Sequence, residues 1–355
     1  MDSELVADPN TSFKRRRVDT QTEEGYLPTN DTPGMAFNPD MNLWMLDGNV
    51  ILVCDSVAYR VHQSILSRHS KVFKDMFAVG TPQGDETFQD CVVVRLQDSP
   101  VHFTALLKSL YDLRYPAFGA KLSLDMLRGL LLVANKYLFE ELRKQTIEHL
   151  RLLFPRTLDD LSSSNRESIV PDDFSGLLGI QLSQEFHVPA ILPTACFYAA
   201  HLSVTQIFSN NDGPDRHVSM PARQACLLFK EKQLKTMYSD ICETYIWRDK
   251  LLTYCILGPN PNCKGFSHED LHAFEEYYTR RVGGVIQETF FEFVICSIYA
   301  GMEGRVCASC WHNLSHVEKV IREKIWEAVP VSCNFKDWDD VDAAQERTNE
   351  DMSAM

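Results

Sequence analysis

The rhythm of apolar and polar positions changes along the chain. From Val50 to Cys54 the run VILVC is apolar throughout, and after Asp55-Ser56 the residues Val57, Tyr59 and Val61 alternate with Ala58, Arg60 and His62. Two β-forming runs split by two polar residues predict a hairpin. Ile65, Leu66, Val72, Phe73, Met76 and Phe77 then recur at helical spacing, broken at residues 67–69, with Ser70 placed to cap the second of two short helices. Residues 81–90 are polar with Pro82 and Gly84 and predict a loop, after which CVVVRL, residues 91–96, predicts a third strand. Ser99-Pro100 supplies a cap and a proline at the first helical position, where the missing N–H costs nothing. Phe103, Leu106, Leu107, Leu110 and Tyr111 form one face of that helix. Ser123 opens another, with Leu124, Leu127, Leu131, Ala134 and Leu138 on one stripe, and Leu142, Thr146, Leu150 and Leu153 continue a third until Pro155 stops it.

From residue 158 to 335 the period is almost entirely helical, strongest over 174–186, 190–202, 222–257, 269–278, 285–299 and 314–328. Loops are predicted at 210–215 and 258–262, where Asn, Gly and Pro cluster. Strands first and helices afterwards are the order of an α+β fold. Order is expected to begin near Trp44. Residues 1–43, rich in Asp, Thr, Pro and Asn, read as a disordered arm because they bury too little to offset their ordering entropy.

Charge changes this picture only at the ends. The chain of 355 residues carries −14, with 35 Lys and Arg against 49 Asp and Glu. Residues 1–43 hold eight acids and four bases, and residues 337–355 hold seven acids and one base, so most of the excess sits on the termini. Residues 337–355 are accordingly read as an acidic disordered tail, and the balance argues against direct nucleic-acid binding. Lys14, Arg15, Arg16 and Arg17 form a basic run on the arm, either a nuclear-import signal or an incidental solvated cluster. No secretory signal follows Met1, and the most apolar tract, 289–300, is far shorter than a membrane span. Eleven cysteines at irregular spacing favour a reducing nucleus or cytoplasm.

Residues 47–67, DGNVILVCDSVAYRVHQSILS, followed by Ser70-Lys71-Val72-Phe73-Lys74-Asp75-Met76-Phe77, closely resemble the BTB/POZ domain. The third strand, the helix ending at Leu110-Tyr111 and the segment LLVANKY at 131–137 follow in the same order, so the likeness covers about 44–154. It implies a short three-stranded sheet flanked by helices. Residues 155–336 resemble, more loosely, the helical extension of fungal BTB proteins, through FHVPAILP at 186–193 and REKIW at 322–326, followed by Pro330 and Trp338. BTB domains pair with themselves or with partner proteins, and some bring substrates to cullin-type ubiquitin ligases. The resemblance therefore implies a protein-interaction scaffold, a homodimer or a partner-bound chain, with no catalytic activity of its own. The alternative is a nuclear transcription-regulatory BTB protein acting through recruited partners.

On this reading Val72, Phe73 and Met76 are core residues, while Phe77 and the loop running to Phe88 sit near a partner surface. His62, at a strand end where the BTB pattern also has histidine, is expected to be structural, its ring satisfying buried backbone groups.

Cys307-Ala308-Ser309-Cys310 has the spacing of a zinc half-site, and Cys255 and Cys263 lie across a Gly-Pro-Asn-Pro turn, so the four define a candidate structural zinc clamp. His268 and His312 are substitutes for one ligand. Four protein ligands would leave no open position for hydrolysis. The opposed reading is a set of buried thiols, of which one pair is close. Cys54, Cys91, Cys196, Cys226, Cys242 and Cys296 are read as core; Cys333 has no assignment. The sequence contains no GxSxG, GxGxxG after a strand, Walker loop or HExxH, which weighs against an enzyme.

Overall fold

In a computed structural model of the chain, the described residues are 37–79, 86–112, 115, 120–161, 163–209, 217–236, 263 and 307–354. Five strands form one mixed sheet in the order β1-β3-β2-β5-β4: β1 Asn38–Trp44, β2 Val50–Cys54, β3 Val57–Val61, β4 Thr87–Phe88 and β5 Cys91–Leu96. The hairpin is as expected, antiparallel with Cys54 opposite Val57 and Asp55 at φ 53° in the turn. β5 lies parallel to the other side of β2, and β1 lies parallel to β3.

The unbroken apolar run of β2 reflects its central place, since a strand covered on both faces needs no polar alternation. Val50, Leu52 and Cys54 point into one core with Tyr59, Phe73, Phe103 and Tyr137. Ile51 and Val53 point into the other with Phe37, Trp44, Ala58, Cys91 and Val93.

Two strands correct the expected three. β1 begins at Asn38, inside the segment read as a disordered arm; its polar, proline-containing sequence hides it, and burial of Phe37, Leu43 and Trp44 anchors it. β4 lies inside the segment read as a loop. It is two residues long and joins β5 through Gln89 and Asp90, both at positive φ (47° and 60°), a tight turn made without the glycine that usually marks one.

Helices α1 Gln63–His69 and α2 Lys71–Val79 follow β3, and α3 Pro100–Tyr111, α4 Leu124–Tyr137 and α5 Glu140–Leu153 follow β5. Ser99 precedes Pro100 as predicted but its side chain makes no capping bond, whereas Ser123 accepts from Met126 N–H at 3.0 Å. α3 packs on α4 so closely that a Cβ on Gly129 would lie 2.1 Å from the His102 ring, so any other residue here would force that ring to shift.

The helical part contains α6 Leu158–Leu161, α7 Ser164–Ile169, α8 Gly176–Phe186, a 3₁₀ turn Pro189–Ile191, α9 Leu192–Ala199, α10 Val204–Phe208, α11 Met220–Thr236, α12 Ala308–Ser332 and α13 Trp338–Ala354. The helices expected over 269–278 and 285–299, and the end of that over 222–257, lie outside the described residues.

α4 serves both halves, which the single-stripe reading missed. Leu130, Val133, Ala134 and Tyr137 face the sheet, while Leu124, Leu127 and Leu131 face the extension. Leu138, placed on the stripe by its spacing, is instead the left-handed C-cap at φ 54°. One apolar core therefore continues from α4 and α5, through Ile147, Leu150, Leu153 and Phe154, into α8, α9, α11 and α12.

The acidic end is helical, contrary to the disordered-tail expectation. Trp338, Val341 and Gln345, at helical spacing, form its inner face: Trp338 stacks on Trp326 at 5.2 Å, Val341 is buried, and Gln345 accepts from Ala190 N–H at 3.3 Å. The acids hid this pattern from a count of charge. Asp339 and Asp340 lie in the first turn, where the helix dipole favours them, and Asp339 and Asp342 pair with Arg156.

Candidate functional site

Ser70 sets the position of α2. Its hydroxyl accepts from Phe73 N–H at 3.0 Å, as a helix cap does, and donates to the Tyr137 carbonyl at 2.5 Å. Phe73 is thereby held fully buried, stacked on Tyr137 at 4.8 Å between ring centroids. One turn on, Phe77 is half-buried with its ring 5.8 Å from Phe73. Val72 and Met76, expected in the core, are half-buried too, because a helix of nine residues points only Phe73 fully inward. Val79, at its end, is 87 % exposed. The four side chains make an apolar edge that the described residues cover only in part.

Phe88 is half-buried on β4 and meets Phe37 edge-on at 5.6 Å. It belongs to the core on the opposite face of the sheet from Phe77, so the structure does not bring the two predicted partner residues together. Glu86 fixes this edge through two bonds from Arg95, at 2.8 and 2.9 Å.

Behind α2 a polar knot holds the interior. Asp98, with a side chain 2 % exposed, accepts from Tyr137 Oη at 2.5 Å and from Lys136 Nζ at 2.8 and 2.9 Å. Burial, with Asp98 as a lesser cause, pushes the Cys54 thiol up to about 12, so it stays protonated and unreactive. His62 is structural, with different partners from those expected. Its backbone N–H donates to Tyr111 Oη at 2.8 Å, Nδ1 lies 3.1 Å from the same oxygen, and Nε2 lies 3.2 Å from Asp47.

The residue least marked by any sequence pattern is Arg143 on α5. It is 5 % exposed, and its guanidinium donates to the Phe186 and His187 carbonyls at the end of α8 (2.9 and 3.2 Å), to Asn135 (3.0 Å) and to Asn349 of α13 (3.0 Å). A lone arginine on a helical stripe carries no signal of such a role. Close by, a cleft of about 640 Å³ lies between α5, α7 and α13. Its arginines are engaged within the chain: Arg151 and Arg156 with Asp342, Arg166 with the Leu153 carbonyl and over the Tyr198 ring at 4.8 Å. Trp326 Nε1 donates to the Arg156 carbonyl at 2.7 Å, and Thr194 to that of Pro155 at 2.7 Å, so the start of the extension is fastened to its own helices.

Of the cysteines read as core, Cys54, Cys91, Cys196 and Cys226 are buried; Cys242 and Cys296 lie outside the described residues. Cys333, unassigned by sequence, follows α12 and is hydrogen-bonded to the Cys196 thiol, both cysteines being free; that hydrogen bond and burial hold the Cys196 thiol well above its ordinary range. Among the candidate ligands, Cys263 is buried and its sulfur accepts from Cys307 N–H at 3.3 Å. Cys310 stands in the first turn of α12, His312 is exposed, and Cys255 and His268 lie outside the described residues. Among the described residues no group of three or more His, Cys, Asp or Glu side chains is placed to hold a metal. Likewise, no helix among them is long and apolar enough to cross a membrane. The basic run Lys14, Arg15, Arg16 and Arg17 also lies outside them.

Residues 45–152, which hold most of the sheet and helices α1 to α5, match the BTB/POZ domain model. This segment is a BTB/POZ domain. The match ends within α5, so the α+β BTB/POZ fold is followed by a helical extension. None of the curated proteins matches the chain. BTB/POZ domains mediate protein–protein interaction and dimerisation, which makes this a chain with a protein-interaction module.

Proposed function

We propose that the chain is a scaffold that joins a second copy of itself or a partner protein through its BTB/POZ domain, serving as a substrate adapter for a cullin-type ubiquitin ligase. The apolar edge of α2, with Phe77 half-buried and Val79 87 % exposed on a domain of this family, carries the reading. Apolar side chains left at a surface gain from burial against another protein, and aromatic ones supply most of that gain. Phe88, on the other face of the sheet, is a second contact point and one independent of Phe77.

The likeness of the extension to that of fungal BTB proteins belongs to the same proposal. Its support is that the residues carrying it converge: Phe186, Val188, Ile191 and Trp326 share one core, and Trp338 stacks against it. The basic run Lys14-Arg15-Arg16-Arg17 favours a second reading, a nuclear protein that regulates transcription through recruited partners and makes no direct contact with nucleic acid. The site of action is the nucleus, the cytoplasm or both.

Purification of the tagged chain from its native cells, with mass spectrometry of what co-elutes, separates the readings. Recovery of cullin and ubiquitin-ligase components, lost in Phe77→Asp, supports the adapter. Recovery of chromatin factors in their place supports the regulator.

A further inference from the structure

Three arginines line the cleft between α5, α7 and α13, and they are not equivalent. Arg151 and Arg156 are spent on the acids of α13: both reach Asp342, and Arg156 also reaches Asp339. Arg166, on α7, is half-buried and donates from Nε to the Leu153 carbonyl at 2.9 Å, which leaves its two Nη groups without a hydrogen-bond partner among the described residues. No carboxylate among those residues forms an ion pair with it, and burial, against weaker effects of Tyr198 and Glu167, pulls its pKa below the ordinary arginine range. A guanidinium partly out of water and unpaired costs free energy that an anion placed against it would recover. The group is nevertheless held in place. It sits in the corner of two rings that meet at 88°, 4.8 Å from the Tyr198 centroid and 5.2 Å from that of Phe174. Its fork is therefore oriented in advance, the condition under which an Nη pair makes two parallel bonds to a carboxylate. The same lining carries Leu152, Ile169, Trp338 and Val341, and the volume of about 640 Å³ lies within the range of small-molecule sites.

We propose that this cleft binds a small monocarboxylate with an apolar body, its carboxylate on the Nη pair of Arg166 and its body against Leu152, Ile169 and Trp338. One unpaired guanidinium matches one negative charge. Glu148 and Asp160, in the same lining, disfavour a second, so a phosphate monoester fits less well. None of these residues belongs to the α2 edge, so the site is separate from the surface assigned to partner proteins.

The test is calorimetric titration of the full chain with a panel of aliphatic and aromatic monocarboxylates, phenylbutyrate among them, each beside its neutral amide, and with phenyl phosphate. At least one carboxylate is expected to bind at millimolar concentration or below, about tenfold or more tightly than its amide, the scale of one charge-assisted pair. Arg166→Gln should abolish that preference. Should this variant fail to fold, hydrogen exchange of the unaltered chain decides: the bound carboxylate should slow exchange across residues 148–156 and 163–169, and the amide should not. The proposal is overturned if no carboxylate of the panel binds, if acid and amide bind alike, or if phenyl phosphate binds more tightly than every carboxylate. It is overturned equally by a preference for the acid that persists in folded Arg166→Gln, or by protection that falls outside those two segments.

Discussion

The BTB/POZ domain presents two apolar helical surfaces with opposite fates. Along α4 and α5 the surface is closed by the chain's own extension: the apolar core runs through it, Arg143 caps α8, and α13 lies across the joint. Along α2 the surface stops half-covered at Val72, Met76 and Phe77. Both are made from similar residues at similar spacing. What separates them is where the polar hardware lies: the bonds of the buried Arg143 reach across the first surface into α8 and α13, whereas those of Ser70 fasten α2 from behind and leave its outer edge as it stands. A surface fixed in this way serves stability, and an open one is available to another protein.

The comparison can be broken most severely by removing residues 337–355. Loss of Trp338, Val341 and Gln345 is expected to lower the unfolding free energy by about 3–5 kcal/mol, the range for losing a packed tryptophan. A disordered tail would leave the urea midpoint unchanged. Arg143→Ala follows, at about 3 kcal/mol, because it takes the donor from the buried Phe186 carbonyl and the partly buried His187 carbonyl and removes a bridge between α5, α8 and α13. A change under about 0.5 kcal/mol by the same measurement, the level of an ordinary surface substitution, would show the joint to be held by apolar packing alone.

At the open surface the ranking reverses between stability and binding. Phe77→Asp is expected to weaken association by about tenfold or more, as for an aromatic anchor at an interface, while costing little stability for a residue already half in water. Light scattering and urea unfolding on the same preparation read the two effects. A large loss of stability with unchanged association would place Phe77 in the core.

The smallest expected effect is one of pH. Burial, and then the charge of Lys230, hold His201 down to about 4 in the folded chain, against an ordinary value of 6.5. As pH falls through this window the unfolded chain takes the proton first, so stability is full above about 6.5 and declines toward about 4. Urea midpoints across that range should fall more steeply for the parent chain than for His201→Leu. Parallel slopes would remove His201 as a cause.

Much of this contrast was written in the sequence, though unevenly. The hairpin, the α1–α2 pair and the α3 start were legible because the apolar period was clear there, with VILVC, the capping Ser70 and the helix-opening Pro100 as marks. β1 and α13 were not, because in each a few buried residues, Phe37 and Trp44 or Trp338 and Val341, outweigh a polar or acidic majority. Composition averages over a segment, whereas burial acts on single positions. Arg143 was illegible for a related reason: its partners are backbone carbonyls and amides 8 to 206 positions away, which leave no local pattern. Phe77 and Phe88 were read as lying near one partner surface; the fold leaves both half-buried and assigns them to opposite faces of the sheet.

The most direct test of the account is cross-linking mass spectrometry on the full chain isolated from its native cells. Lys71 and Lys74 flank the open edge of α2 on the exposed side of the helix. The account predicts links from these lysines to a second copy or to a partner protein, and their disappearance in Phe77→Asp. Intermolecular links confined to the extension, with Lys71 and Lys74 linked only within their own chain, would contradict it.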